Sequence, residues 1–146
     1  DAEELTQDTF LKAYKQLRTF KGKSKFSTWI YRIAYYTCIN HLRKNKHQSI
    51  GIKEWHHPAT AADLTLKNLS NEDRDSFLSK AMQTLTPQER ALITLFYLEE
   101  QTMDEIAQIT GLSVSNAKVK IHRTRKKLRV YLEKYWPEEF KSLRYE

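Results

Sequence analysis

Between Thr102 and Arg129 the apolar positions follow a helical period. Val114, Ala117, Ile121, Thr124 and Leu128 are separated by alternating steps of three and four residues, which brings their side chains onto one face. That stripe predicts an inward-packed surface, and Ser115, Asn116, Lys118, Val119, His122, Arg123 and Lys126 fall on the other faces. Just upstream, Thr102 and Glu105 have the spacing of a capping box, in which each side chain reaches for a backbone N–H left open at a helix start. A helix is therefore predicted from about Met103. Ala107 leaves room for a close crossing, Gly111 suits a left-handed helix end, and Ser113 can cap the following helix. The stretch reads as two helices around a glycine turn.

The same periodicity organises the rest of the chain. Leu5, Phe10, Ala13, Tyr14 and Leu17, preceded by acids that complement a helix N-terminus, predict a first helix. Its stripe needs a covering, and the N-terminal half offers only one further long helix, so apolar surface that invites a partner is expected to remain. Ser27 or Thr28 can open that second helix, which runs to about Lys46 with Trp29, Ile30, Ile33 and Ala34 as core. Residues 48–71, with Gly51, Pro58 and the small run Ala59-Thr60-Ala61-Ala62, sustain no helical period and read as a linker. Ser70 and Asp73 resemble a helix start ahead of Phe77, Leu78, Ala81, Met82 and Leu85. Thr86-Pro87-Gln88-Glu89 is a second start, with proline at the first helical position, leading to Ala91, Leu92, Leu95 and Phe96. The expected fold is all-α: two small helical domains, 1–47 and 72–136, joined by a flexible linker over 48–71. The second is a four-helix domain with a helix-turn-helix, and residues 137–146 form a tail.

Charge adds a partner to this picture. The formal charge is +7 over 146 residues, with cations in excess in both helical halves and a slightly acidic stretch over 48–80. Two basic modules suit a polyanion held at two places, since every neutralised phosphate releases counterions. The basic second helix of the C-terminal pair matches duplex reading, with base edges met near its N-terminal end and phosphates further along. The N-terminal half differs in kind. Phe20, Phe26, Trp29, Tyr31, Tyr35 and Tyr36 are interleaved with Lys21, Lys23, Lys25, Arg32, Arg43 and Lys44, a mixture that stacks unpaired bases while cations follow the backbone.

Several function classes are disfavoured. With only Gly22, Gly51 and Gly111, no phosphate-cradling glycine loop can be built, and serine-elbow and paired-cysteine zinc patterns are missing. Catalysis is not expected, nor is a cofactor. Cys38 with His41, and His56 with His57, fall short of a closed structural zinc site, so no metal is expected. Cys38 is the single cysteine; it reads as a small core residue in a reducing, cytoplasmic compartment. No apolar run reaches membrane-spanning length, and membrane insertion is not expected. The main rival is a stand-alone helix-turn-helix regulator that binds duplex half-sites as a dimer, for which the aromatic-basic loop has no role. A recombinase would need a nucleophile and clustered acids or arginines that the first half does not supply.

DAEELTQDTFLKAYKQLRTFKGKSKFSTWIYRIAYYTCINHLRK and LTPQERALITLFYLEEQTMDEIAQITGLSVSNAKVKIHRTRKKLR closely resemble regions two and four of bacterial RNA polymerase sigma factors of the extracytoplasmic-function group. The resemblance is specific because both modules occur in order around an unmatched linker. It implies a protein that binds core RNA polymerase and promoter DNA, duplex and single-stranded, to direct transcription initiation. It places polymerase contacts on the first helix, at Glu4, Gln7, Asp8 and Leu11. Capture of the melted minus-ten element falls on Phe20, Lys21, Lys23, Ser24, Lys25 and Phe26, then on Trp29, Tyr31, Arg32, Tyr36 and Asn40. Many relatives carry asparagine where this chain has Tyr36, so stacking can replace a hydrogen bond there. The minus-thirty-five reader falls on Ser115 to Arg123, with Lys118, Val119, His122 and Arg123 nearest the bases, Ser115 and Asn116 beside them, and Lys120, Arg125 and Lys126 on phosphates. An anti-sigma protein that masks the polymerase-binding surfaces is a further implied partner, and no obligate homo-oligomer is expected of the intact protein. Family members begin region two with helices ahead of the segment matching Asp1; either such helices precede it in the parent protein, or the N-terminal module exposes apolar surface that invites a partner or a second copy.

Overall fold

The computed structural model describes residues 2–48 and 78–137. Residues 49–71 of the expected linker, with His56 and His57, the helix start at Ser70 and Asp73 with Phe77, and the tail beyond residue 137 lie outside them, whereas Gln48 still belongs to a helix. Every regular element among the described residues is helical. Helix α1 covers Ala2–Gln16, followed by a short 3-10 turn at Leu17–Thr19, and α2 covers Phe26–Gln48. Residues 78–83 are helical (α3), α4 covers Pro87–Ile93, α5 Met103–Thr110 and α6 Val114–Tyr135.

Helix α1 buries only Thr9 and Ala13, and packs there against α2. Small side chains let the two backbones approach. Thr9 satisfies its hydroxyl on the Leu5 carbonyl at 2.7 Å, and Lys12 Nζ bridges Asp8 at 2.6 Å and Thr37 of α2 at 3.3 Å. Of the rest of the predicted stripe, Leu5 is half-buried, while Phe10, Tyr14 and Leu17 stay exposed, Phe10 at 63% and Tyr14 at 78%. Helix α2 starts at Phe26, one residue before Ser27, because the Trp29 N–H already donates to the Lys25 carbonyl at 3.1 Å. Trp29, Ile30, Ile33 and Ala34 are half-buried, whereas Thr28 and Thr37 are buried. Cys38 is likewise half-buried.

The C-terminal half is built round Leu85, Leu92, Ile93, Leu95, Ile106, Ile109, Ala117 and Ile121. Ile106 and Ile109 are fully buried, and burying a side chain of this size stabilises the fold by roughly 1.5–3 kcal/mol. Both capping boxes form: Thr86 with Glu89 opens α4, and Thr102 with Glu105 opens α5. One feature has no counterpart in the sequence pattern. After Ile93 the ladder widens into a π segment, Thr94–Leu98, in which the Glu99 N–H donates to the Thr94 carbonyl at 3.0 Å. Glu100 then leaves the helix at φ 49°, a conformation rare for a residue with a Cβ.

The two halves touch. Helix α2 packs on α5, and Tyr31 and Tyr35 lie against the C-terminal core.

Candidate nucleic-acid interface

The helix-turn-helix is defined by its caps. Thr102 Oγ1 accepts from the Glu105 N–H at 3.2 Å while Glu105 accepts from the Thr102 N–H at 2.8 Å, satisfying two donors that a helix start leaves open. Gly111 ends α5 at φ 75°, its N–H on the Ala107 carbonyl at 2.9 Å. Glycine suits that left-handed conformation because it has no Cβ to strain. Ser113 Oγ accepts from the Asn116 N–H at 3.2 Å and opens α6. The turn fixes the direction in which α6 leaves α5.

Along α6, Ala117, Ile121 and Thr124 are buried and Val114 and Leu128 half-buried, so the periodic stripe faces the core. Thr124 turns its hydroxyl onto the Lys120 carbonyl at 2.8 Å, which removes the penalty for burying it. The opposite surface carries Ser115, Asn116, Lys118, Val119, His122, Arg123, Arg125 and Lys126, all exposed, with Lys120 half-buried. Arg125 extends over the Tyr97 ring, 6.0 Å from its centroid. Lys127 is turned back to pair with Glu89 of α4. Burial favours the neutral acid at Glu89, yet the Lys127 ammonium and the Thr86 cap outweigh it and hold the carboxyl below its usual range.

In the N-terminal half, Phe20, Phe26 and Trp29 form a ring cluster with centroids 5.3–5.5 Å apart, within the range of favourable aromatic packing. Phe26 remains 52% exposed, and Lys21, Lys23 and Lys25, close to it in the chain, are exposed as well. Ser24 is half-buried, with its hydroxyl on the Lys25 carbonyl at 3.3 Å. Arg32, Tyr36 and Asn40 are exposed on α2 and Tyr31 is half-buried; the Arg32 guanidinium sits 5.4 Å from the centre of the Tyr36 ring. On α1, Glu4, Gln7 and Leu11 are exposed and Asp8 is half-buried beside Lys12. Phe10, Tyr14, Leu17, Phe26 and Trp29 line an open apolar groove of about 480 Å³ between α1 and α2.

Several of these side chains meet the other half of the molecule. Lys25 Nζ lies 2.8 Å from Glu105 Oε1. The Tyr31 hydroxyl donates to the Glu99 carboxylate and Arg32 Nη1 donates to the Gln108 carbonyl. Tyr36 Oη donates to the Thr110 carbonyl at 3.2 Å. The electrostatics follow: the Lys25 contact, with the Thr102 backbone and hydroxyl, holds the Glu105 carboxyl at about 2. The hydrogen bond to Glu99 raises the Tyr31 phenol, and burial raises Tyr35. Glu99, Glu105 and Gln108 carry no local signal as partners of α2, because a pattern of neighbours along the chain says nothing about contacts some seventy positions away.

The family profile for Sigma-70 region 2 matches residues 1–48, and that for Sigma-70 region 4 matches residues 65–128. The RNA polymerase sigma factor YlaC of Bacillus subtilis is 34% identical over 140 residues, covering 94% of this chain and 81% of that protein. The ECF RNA polymerase sigma-E factor of Salmonella typhimurium is 30% identical over 136 residues, covering 86% and 70%. Among solved structures, the sigma factor RpoE from Bartonella quintana, in complex with the anti-sigma factor NepR, superposes with a TM-score of 0.68 at 25% identity, covering 90% of this chain and 81% of that one. CnrH, in complex with the cytosolic domain of CnrY, shares the fold with a TM-score of 0.60 at 24% identity, covering 91% and 71%. Two cationic helical modules, one ending in a capped helix-turn-helix and both matched in order by sigma regions, place this chain in the extracytoplasmic-function group of RNA polymerase sigma factors.

Proposed function

We propose that this sigma factor divides promoter recognition between its two modules. Helix α6 reads the upstream element as duplex: Ser115, Asn116, Lys118, Val119, His122 and Arg123 meet base edges, and Lys120, Arg125 and Lys126 hold phosphates. The loop from Phe20 to Phe26, with Trp29, Tyr31, Arg32, Tyr36 and Asn40, captures the melted strand by stacking and charge. Core polymerase docks on the α1 face carrying Glu4, Gln7, Asp8 and Leu11. The domains run over 1–47 and 72–136. A protein inhibitor is a further partner, in keeping with the anti-sigma factor NepR bound to RpoE. The protein acts in the cytoplasm and supplies no catalytic group of its own, the chemistry residing in the polymerase.

The observation that carries this reading is the polarity of α6, with Ala117, Ile121 and Thr124 buried beneath an exposed polar and cationic face. Mixing the chain with core polymerase and promoter DNA tests it. Polymerase-dependent binding and strand opening, read by permanganate reactivity of unpaired thymines, are expected. Tight duplex binding without polymerase, at paired half-sites and with no opening, would instead establish a stand-alone dimeric regulator.

A further inference from the structure

Tyr97 stands four residues after the buried Ile93, a spacing that an unbroken α-helix keeps on one face, yet it is 48% exposed. The π segment breaks that register. Its ring is nevertheless steadied from below: Phe96, packed against the C-terminal core, meets it edge to face with centroids 4.8 Å apart and planes at 88°, a favoured aromatic geometry. Over the Tyr97 ring lies the Arg125 guanidinium of α6, 6.0 Å from the centroid. Arg125 continues the exposed line of Lys118 and His122 at steps of four and three residues, so these side chains share a face. It stands about 16 Å along the helix from Val114, at 1.5 Å per residue, beyond the roughly 12 Å width of a major groove. A helix inserted by its N-terminal end thus carries Arg125 to the rim, where phosphates lie.

Neighbouring cations are held differently. Lys127 pairs with Glu89, and Arg129 with Glu133 at 2.8 Å, so carboxylates oppose their charge. A neutral ring does not: a guanidinium held by its face keeps its charge and its N–H edge for an anion. We propose that Tyr97 is a positioning residue for duplex binding: its ring, steadied by Phe96, orients Arg125 toward a phosphate at the rim of the groove. The proposal rests on the reading of α6 as the duplex reader and of Arg125 as one of its phosphate contacts. An unsupported arginine loses rotamer freedom when it closes on a phosphate, whereas Arg125 gives up part of that freedom before DNA arrives. The ring therefore raises affinity without touching DNA, and does so for all sequences alike.

Fluorescence anisotropy of the full chain with fluorescein-labelled randomised-sequence duplex, at a series of salt concentrations, tests this. Arg125→Ala sets the reference and should bind more weakly, with the magnitude of the log–log salt slope reduced by about one. Tyr97→Leu keeps an apolar side chain beside Phe96 but removes the π face, and should weaken binding by about two- to tenfold. Tyr97→Phe, which keeps the ring, should bind like the wild type. Added to Arg125→Ala, Tyr97→Leu should have no further effect, because the residue it acts through is gone. A loss that persists in the Arg125→Ala background overturns the proposal, since Tyr97 would then act through the fold or on DNA itself. Tyr97→Phe as weak as Tyr97→Leu overturns it too, by assigning the effect to the hydroxyl. Wild-type or tighter binding by Tyr97→Leu, beside a weakened Arg125→Ala, overturns the positioning role alone. Unchanged affinity and slope in Arg125→Ala overturn instead the phosphate reading of Arg125 on which the proposal stands.

Discussion

Lys118 and Arg123 lie on the exposed side of α6, away from the Ala117, Ile121 and Thr124 stripe. Neither is needed to hold the fold, so truncation should act on recognition. A base-edge contact is worth roughly 1–3 kcal/mol of discrimination. Lys118→Ala and Arg123→Ala are each expected to lower the preference for the upstream element over scrambled duplex by about ten- to a hundredfold, read by competition gel shift. Lys126 should behave differently. As a phosphate contact, its loss should weaken all sequences alike and reduce the magnitude of the log–log salt slope by about one, a difference that titration at several salt concentrations separates from base reading. Replacing Phe20 by alanine should leave duplex discrimination unchanged and lower permanganate reactivity of the melted region, because its ring belongs to the Phe26–Trp29 cluster and not to the helix-turn-helix.

The elements show where sequence reasoning succeeds and where it stops. The caps at Thr86, Thr102 and Ser113 and the left-handed Gly111 were legible because each is a chemical relation between residues within four positions. Thr102→Ala should therefore lower stability by about 0.5–2 kcal/mol, as loss of an N-cap does, measured by denaturant unfolding. The π segment at Thr94–Leu98 was not legible, since Thr94, Leu95 and Phe96 are compatible with an ordinary helix; Leu95 is buried there while Tyr97 and Leu98 remain exposed. That the α1 stripe lacks cover could be read, and Ala13 belongs to that stripe, but the burial of Thr9 beside it, with the larger Phe10 and Tyr14 left exposed, could not. Acid provides a further check at this scale. Glu105 in the native chain sits at about 2 against an ordinary 4.5, first through Lys25 and then through Thr102. Its folded carboxyl binds a proton less readily than the unfolded one, so its stabilisation is complete above the ordinary value and is lost as pH falls through about 2. Glu105→Gln should flatten the acid limb of a stability-versus-pH curve over that window.

For the whole molecule, the modules could each be read from the sequence, whereas their mutual contact could not, because it joins α2 to residues far along the chain through groups that look solvated in isolation. The turn at Gly111 shows what that contact entails. Its backbone carries φ 75°, and its missing Cβ is what admits Tyr36 Oη. Gly111→Ala should thus suffer twice, from a left-handed backbone that costs an L-residue roughly 1–2 kcal/mol and from collision with the tyrosine. Tyr36→Phe leaves only an ordinary 3.9 Å contact at the ring carbon, so in a double-mutant cycle on unfolding free energy the pair should fall short of additivity, with coupling of about 0.5 kcal/mol or more. Positions 36 and 111 are in this sense joined: enlarging one obliges the tip of the other to shift, and a graft that swaps either module alone between distant relatives should misfit at this seam first.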